Sequence, residues 1–119
     1  MDETKILVNT IINALQEKKG KRIVTLDLTA LEGSICKYFI ICQGNVPTQV
    51  AALSDSVWDL VYEQLHEKPL GAVGMKEAQW IAMDYGTVIL HIFIPSTREY
   101  YNLENLWADA DTTEIPDIL

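Results

Sequence analysis

The sequence predicts a single α/β domain in which helices pack on a mixed β-sheet. Three observations favour this class. Apolar residues recur at helical spacing in two long segments, a continuous apolar run lies between them, and a later segment alternates around a tight turn. With 119 residues, the chain has the length of one domain. We place this domain at residues 1–108 and expect residues 109–119 to form a loose acidic tail.

The first amphipathic helix is predicted over residues 3–19, where Ile6, Leu7, Ile11, Ala14 and Leu15 form one stripe and Gly20 ends the helix. A basic group follows, consisting of Lys18, Lys19, Lys21 and Arg22. It is interpreted either as a solvated surface or as an RNA-binding patch. The second helix is predicted over Thr48–Glu67, with Pro47 in its first turn.

Three strands are predicted outside the hairpin. They are Ile23–Leu28, the central strand Tyr38–Cys42 and a weak edge strand at Leu70–Gly74. The Tyr38–Cys42 run lacks polar alternation, which predicts that both of its faces are covered.

The segment from Trp80 to Ile94 is predicted to be a β-hairpin with a two-residue turn at Tyr85-Gly86. This register pairs Asp84 with Thr87, and Trp80 with His91. One face then carries only apolar side chains, namely Ile81, Met83, Val88, Leu90, Ile92 and Ile94. The other face carries Trp80, Ala82, Asp84, Thr87, Ile89, His91 and Phe93.

A short C-terminal helix is predicted after Pro95, where Ser96 and Glu99 have the spacing of a capping box. We expect the apolar side chains of this helix to pack against the hairpin, and they are Tyr100, Leu103, Leu106 and Trp107.

Composition restricts the function. The formal net charge of −8 opposes binding to phosphate backbones, so we expect little direct RNA binding and attraction to a basic protein. Apolar runs fall short of the roughly 20 residues of a membrane helix, and the first residues do not resemble a signal peptide, which predicts a cytoplasmic protein. Cys36 and Cys42 are expected to be reduced, and with two distant histidines they match no zinc spacing, so no metal or cofactor is predicted.

Catalytic roles compete with structural ones at two hairpin residues. Asp84 is interpreted mainly as a turn residue whose carboxylate accepts hydrogen bonds from nearby backbone. His91 is interpreted as a structural histidine rather than a general base. Gly33-Ser34 and Asp109-Ala-Asp111 invite comparison with nucleotidyltransferases, but the acids are predicted to lie too far downstream to form a neighbouring strand of the same site.

Aromatic residues concentrate between residues 80 and 107, namely Trp80, Tyr85, Tyr100, Tyr101 and Trp107. Two adjacent tyrosines on a helix cannot both face the core, so at least one is exposed. Exposed rings beside Asp84, Arg98 and His91 are typical of a protein-binding surface. The alternative is an aromatic core with one exposed tyrosine.

Three separated motifs resemble the ribosomal silencing factor S family, also called the Iojap family. They are Lys37-Tyr-Phe-Ile-Ile-Cys-Gln-Gly-Asn45, Trp80-Ile-Ala-Met-Asp-Tyr-Gly-Thr-Val-Ile-Leu-His-Ile-Phe93 and Arg98-Glu-Tyr-Tyr-Asn-Leu-Glu-Asn-Leu-Trp107. The resemblance covers roughly residues 3–108 in the same order. It implies an α/β fold related to the nucleotidyltransferases but without their catalytic acids. It also implies a non-enzymatic translation repressor that binds the large ribosomal subunit at ribosomal protein L-fourteen and blocks association with the small subunit.

The resemblance also implies which residues form the site. The partner-binding residues are Trp80, Asp84, Tyr85, Arg98, Tyr100 and Tyr101, and the supporting residues are His91, Gly86 and Trp107. The alternative function is a nucleotidyltransferase-like or hydrolytic enzyme that uses Asp84 and His91. An apolar hairpin face left exposed would let the free protein associate as a homodimer.

Overall fold

The computed structural model describes residues 3–118. The helices are α1 (Glu3–Glu17), α2 (Pro47–Leu65), α3 (Pro95–Tyr101) and α4 (Leu103–Leu106). The strands are β1 (Lys21–Asp27), β2 (Tyr38–Gln43), β3 (Gly71–Val73), β4 (Trp80–Asp84), β5 (Val88–Phe93) and β6 (Asp111–Ile115). The predicted α/β class is confirmed.

The six strands form one mixed sheet in the order β3-β4-β5-β2-β1-β6. Only β2 and β5 run parallel, and the remaining neighbours are antiparallel. Strand β2 is buried from Phe39 to Gln43, as its continuous apolar run predicts. It therefore lies at the centre of the fold, with side chains packed on both faces of the sheet.

One face of the sheet is covered by α1 and α2. The apolar face of the hairpin packs there, where Ile81, Met83, Val88, Leu90 and Ile92 are completely buried with the apolar stripes of both helices. The predicted face assignment is correct for these residues. Because α1 and α2 cover this face, the proposed reason for a homodimer, an exposed apolar hairpin face, is absent.

The opposite face has a smaller core and a thinner cover. Phe39, Ile41 and Phe93 are buried there with Leu26 and Leu28, and Leu103 and Trp107 pack against them from the C-terminal segment. Trp80 and Ile89 lie at the margin of this core and remain partly exposed. The partly exposed side chains of Trp80 and Ile89 are therefore on this face.

The segment predicted to be a loose tail instead supplies strand β6. Residues Asp111–Ile115 pair antiparallel with β1, in a register that places Asp111 opposite Asp27. The acidic side chains hid this strand from a hydrophobic pattern, because an edge strand can leave its polar side chains in water. The tail also contacts the basic group: Asp117 accepts a hydrogen bond from the backbone NH of Arg22 at 2.8 Å.

The hairpin register differs by two residues from the prediction. Trp80 lies opposite Phe93 and Asp84 opposite Ile89, while the NH of Tyr85 donates to the carbonyl of Val88. The turn is therefore centred on Gly86-Thr87, where a φ of +88° at Gly86 suits the first central position of a type II′ turn. A slip of two residues leaves every side chain on its predicted face, so the face assignment survives the error.

The C-terminal helix also departs from prediction. It begins at Pro95, one residue before Ser96, and no side chain caps it, so the capping box is absent. Asn102 then adopts left-handed geometry with φ +46° and separates α3 from α4. Tyr100, before this break, and Leu106, after it, are 80% and 71% exposed, although both were expected to pack on the hairpin.

No helix within residues 3–118 combines the length and apolar character needed to cross a membrane.

Candidate functional site

A cluster of aromatic rings lies on the thinly covered face, where α3 meets the start of β4. The half-buried Trp80 ring is 5.1 Å from Phe93 and 4.6 Å from Tyr101, measured between ring centroids. Tyr101 in turn meets the edge of Tyr100 at 5.0 Å. Tyr101 and Tyr100 are 48% and 80% exposed. The structure thus brings together three of the predicted partner-binding residues.

These rings line a groove of about 510 Å³. One wall comes from the β3–β4 connection and the start of β4, and its residues are Gly74, Glu77, Gln79 and Trp80. The other wall comes from α3, and its residues are Ser96, Thr97, Tyr100 and Tyr101. We call this site the aromatic groove.

The β3–β4 connection is held in a tight conformation that forms the first wall. Gly74 has a φ of +86°, and a side chain there would collide with the backbone carbonyl of Trp80. Ala78 also has a positive φ of 53°, and its NH donates to the carbonyl of Gly74 at 2.9 Å. Farther on, the NH of Ile94 donates to the carbonyl of Gln79, which ties the wall to the start of α3.

His91 supports Trp80 from beneath. The indole Nε1–H of Trp80 donates to Nδ1 of His91 at 3.0 Å, and the His91 ring meets Phe39 edge to face at 5.0 Å. Burial lowers the pKa of His91 to about 4, because desolvation penalises its charged form. His91 is therefore neutral at pH 7, with Nδ1 as acceptor and the proton on Nε2. A structural role for His91 stays a prediction that its contact with Trp80 favours, and its cross-strand partner is Ala82 rather than Trp80.

Asp84 lies at the other end of β4, about 13 Å from Trp80 along the strand. Its Oδ1 accepts a hydrogen bond from the backbone NH of Gly86 at 2.7 Å, which confirms the predicted turn role. The carboxylate is partly exposed on the same side of the sheet as Trp80. Asp84 is thus a separate acidic point on this face and not part of the aromatic groove.

Tyr85 was expected at the partner-binding surface, but the structure buries it. It is 6% exposed and belongs to the core beneath α1 and α2. Its hydroxyl is buried and has no hydrogen-bond partner among residues 3–118, and desolvation raises its pKa to about 12. The surface assignment is wrong for this residue, because Tyr85 follows Asp84 and so points to the opposite face.

Arg98 was also expected near the surface and is 4% exposed. Its Nε pairs with Glu104 at 2.9 Å, and its Nη1 donates to the carbonyl of Arg22 at 2.7 Å and to Gln43 at 3.4 Å. This assignment is wrong as well, because the guanidinium connects α3 to α4 and to β1. Arg98 thereby helps to fix the helix that carries Tyr100 and Tyr101.

The two remaining supporting residues have visible structural contacts. Gly86 supplies the positive φ that the hairpin turn requires, and Trp107 meets the edge of Phe39 at 5.6 Å. Both contacts agree with the structural roles that the resemblance implies.

The enzyme alternative gains no geometric support from Asp84 and His91. The carboxylate of Asp84 accepts a hydrogen bond from the NH of Gly86, and His91 uses Nδ1 to accept from Trp80. The Nε2 of His91 is buried and has no hydrogen-bond partner in the described part of the chain. A histidine with a pKa of about 4 is also a weak base near neutral pH.

The nucleotidyltransferase comparison needs one correction. Asp109-Ala-Asp111 was predicted to lie too far downstream to form a neighbouring strand, yet Asp111 begins β6, which pairs with β1 and sets Asp111 opposite Asp27. Even so, the described part of the chain holds no group of three or more His, Cys, Asp or Glu side chains that fits a metal ion.

The cysteines pack in different cores. Cys36 lies in the smaller core and Cys42 in the core beneath the helices, and both are free thiols. Burial raises the pKa of Cys36 and raises that of Cys42 to about 12.

Five lining residues of the aromatic groove were not among the predicted site residues, namely Gly74, Glu77, Gln79, Ser96 and Thr97. The only sequence signal for them is position, because Glu77 and Gln79 precede β4, and Ser96 and Thr97 follow β5. Strands β4 and β5 pair antiparallel, so these two segments meet at the same end of the hairpin.

Comparison with known proteins decides the family. A family model described as "ribosomal silencing factor during starvation" matches residues 1–119. This chain belongs to the ribosomal silencing factor family. The match includes residues 109–119, so the family's domain extends through the strand that was predicted to be a tail. Ribosomal silencing factors are regulatory proteins associated with the ribosome, as their name states.

Individual relatives support the same family assignment. The ribosomal silencing factor of Halalkalibacterium halodurans is 35% identical over 114 residues, covering 95% of both chains. A crystal structure of a protein from Chromobacterium violaceum has a TM-score of 0.83 and 33% identity, covering 90% of this chain and 88% of that one. The mouse mitochondrial assembly of ribosomal large subunit protein 1 is 29% identical over 108 residues, covering 87% of this chain and 46% of the mouse protein.

Proposed function

We propose that this chain represses translation in the cytoplasm by binding the large ribosomal subunit at ribosomal protein L-fourteen. Bound there, it sterically blocks association with the small subunit. The observation that carries this proposal is membership of the silencing factor family along the whole chain. The name of the mouse relative, which refers to large-subunit assembly, supports the choice of subunit.

The surface chemistry supports a protein partner. The aromatic groove offers exposed rings that are held in place by Phe93, His91 and the β3–β4 connection. Large, preorganised rings with polar neighbours are typical of protein-binding hot spots. We assign Trp80, Tyr100 and Tyr101 to the interface, with Asp84 as an acidic contact farther along the same face.

The charge distribution supports contact with a basic protein rather than with RNA. The net charge is −8, and within the basic group Lys21 uses its ammonium group in a contact with the tail. Lys21 Nζ donates to the carbonyl of Ile118, and the backbone NH of Arg22 donates to Asp117. Ribosomal proteins are generally basic, so a basic L-fourteen surface would be attracted to this face.

Co-sedimentation with separated subunits tests the partner assignment. The protein should migrate with large subunits and not with small ones. Asp84→Asn removes the charge but keeps an oxygen for the Gly86 NH, so weaker binding without loss of stability is expected. Asp59→Asn on α2 is the matched control, because Asp59 is exposed on the helix side of the sheet. Equal binding of the two variants would remove Asp84 from the interface, and absence from the large-subunit fraction would refute the proposal.

A further inference from the structure

The aromatic groove contains one charged side chain, which is Glu77. Glu77 is exposed, and within residues 3–118 its carboxylate makes no salt bridge. The other polar groups of the groove are neutral, coming from Gln79, Ser96 and Thr97 and from the tyrosines. The groove therefore offers a negative charge with no positive charge of its own to balance it.

The aromatic rings of the groove also favour a positively charged ligand. The Nε1–H of Trp80 is directed to His91, so the groove receives the indole ring but not its hydrogen-bond donor. Tyr101 lies 4.6 Å from that indole and extends the aromatic surface. Aromatic faces carry negative electrostatic potential and attract lysine and arginine side chains. The aromatic rings and the Glu77 carboxylate thus both favour a positively charged ligand.

We propose that the aromatic groove holds a lysine or arginine side chain of a basic protein partner, with the cation between the Glu77 carboxylate and the rings of Trp80 and Tyr101. A volume of about 510 Å³ accommodates such a side chain together with part of the backbone that carries it. This inference rests on the proposed function for the identity of the partner and adds the contact that recognises it.

Other occupants fit less well. An anionic group would be repelled by Glu77, and an apolar segment would bury that carboxylate without a partner. A second copy of this chain brings another net charge of −8, which opposes close approach. Charge complementarity therefore selects a cation.

Calorimetric titration with purified ribosomal protein L-fourteen tests the contact. Glu77→Gln removes the charge and keeps the shape, so we expect about tenfold weaker binding at low salt and a smaller dependence on salt. Glu63→Gln is the matched control, because Glu63 is an exposed glutamate on α2 at the other side of the sheet. Unchanged binding by the control supports the inference, and equal affinities of the two variants overturn it.

A second measurement does not depend on the ribosomal partner. The indole NH signal of Trp80 is followed by NMR while acetyl-Gly-Arg-Gly-amide or acetyl-Gly-Gln-Gly-amide is added at millimolar concentration. We expect the arginine peptide alone to shift the signal, and the shift to shrink in Glu77→Gln. Equal shifts with both peptides, or no shift with either, overturn the inference. A shift with the arginine peptide in a protein that fails to bind L-fourteen would refute the proposed function and leave the groove assignment standing.

Discussion

The burial of His91 makes a quantitative prediction about stability in acid. The pKa of His91 is lowered from 6.5 to about 4, so in this pH range the unfolded chain binds a proton that the folded chain does not. The free energy of unfolding should therefore fall as pH decreases from about 6.5 to about 4 and rise again with pH. For these values the linkage relation gives a loss of about 2 kcal/mol between pH 7 and pH 5.

Urea denaturation of the wild type and two variants at pH 7 and pH 5 measures this loss. His91→Asn carries no titrating group at this position, so its free energy of unfolding should change about 2 kcal/mol less than that of the wild type between the two pH values. The matched control is His66→Asn, because His66 is exposed with φ +56°, a conformation that asparagine tolerates. A wild-type pH dependence of stability in His91→Asn, or the loss of that dependence in His66→Asn, would refute the assigned burial effect at His91.

Three further predictions concern the groove and the core. Gly74→Ala should destabilise the fold by more than Gly86→Ala. Both glycines have positive φ, but only a side chain at position 74 collides with the Trp80 carbonyl. Gly86→Ala is expected to lower the free energy of unfolding by about 1–2 kcal/mol, and urea denaturation of both variants measures the difference. Arg98→Met should lower the free energy of unfolding by about 2–3 kcal/mol in the same assay, because it leaves Glu104 and the carbonyl of Arg22 without their partner. An unchanged free energy would show that the buried guanidinium adds no stability. Cys42 should resist iodoacetamide at pH 8 in the folded protein and react in urea, because it is completely buried and its pKa is about 12; labelling of the native protein at Cys42 would contradict this burial.

Hydrophobic pattern was sufficient to predict the faces of the main elements. Ile81 and Met83 alternate with Trp80 and Ala82, and this alternation separates core from surface in any register shifted by an even number of residues. The same pattern could not distinguish the observed turn at Gly86-Thr87 from the predicted turn at Tyr85-Gly86, because both registers place every side chain on the same face. Strand β6 was not predicted, because it is held by backbone pairing with β1 and has no apolar face that a hydrophobic pattern could reveal.

The candidate site was harder to predict because burial of individual polar residues depends on tertiary contacts. Arg98 carries a charge that suggests a surface position, yet Glu104, Gln43 and the carbonyl of Arg22 enclose it. The aromatic groove arises where residues 74–80 meet residues 96–101, and no local pattern shows that Glu77 and Tyr101 line the same groove. The Trp80–His91 contact was predictable in outline, since both residues lie on one face of the same hairpin.

The central claim is that this protein keeps the ribosomal subunits apart while bound to the large one. Its most direct test is sucrose-gradient analysis of purified subunits at a magnesium concentration that favours joining, with and without a molar excess of the protein. We predict that the joined-ribosome peak decreases and that the protein migrates with free large subunits. A full peak of joined ribosomes that carry the bound protein would contradict the account.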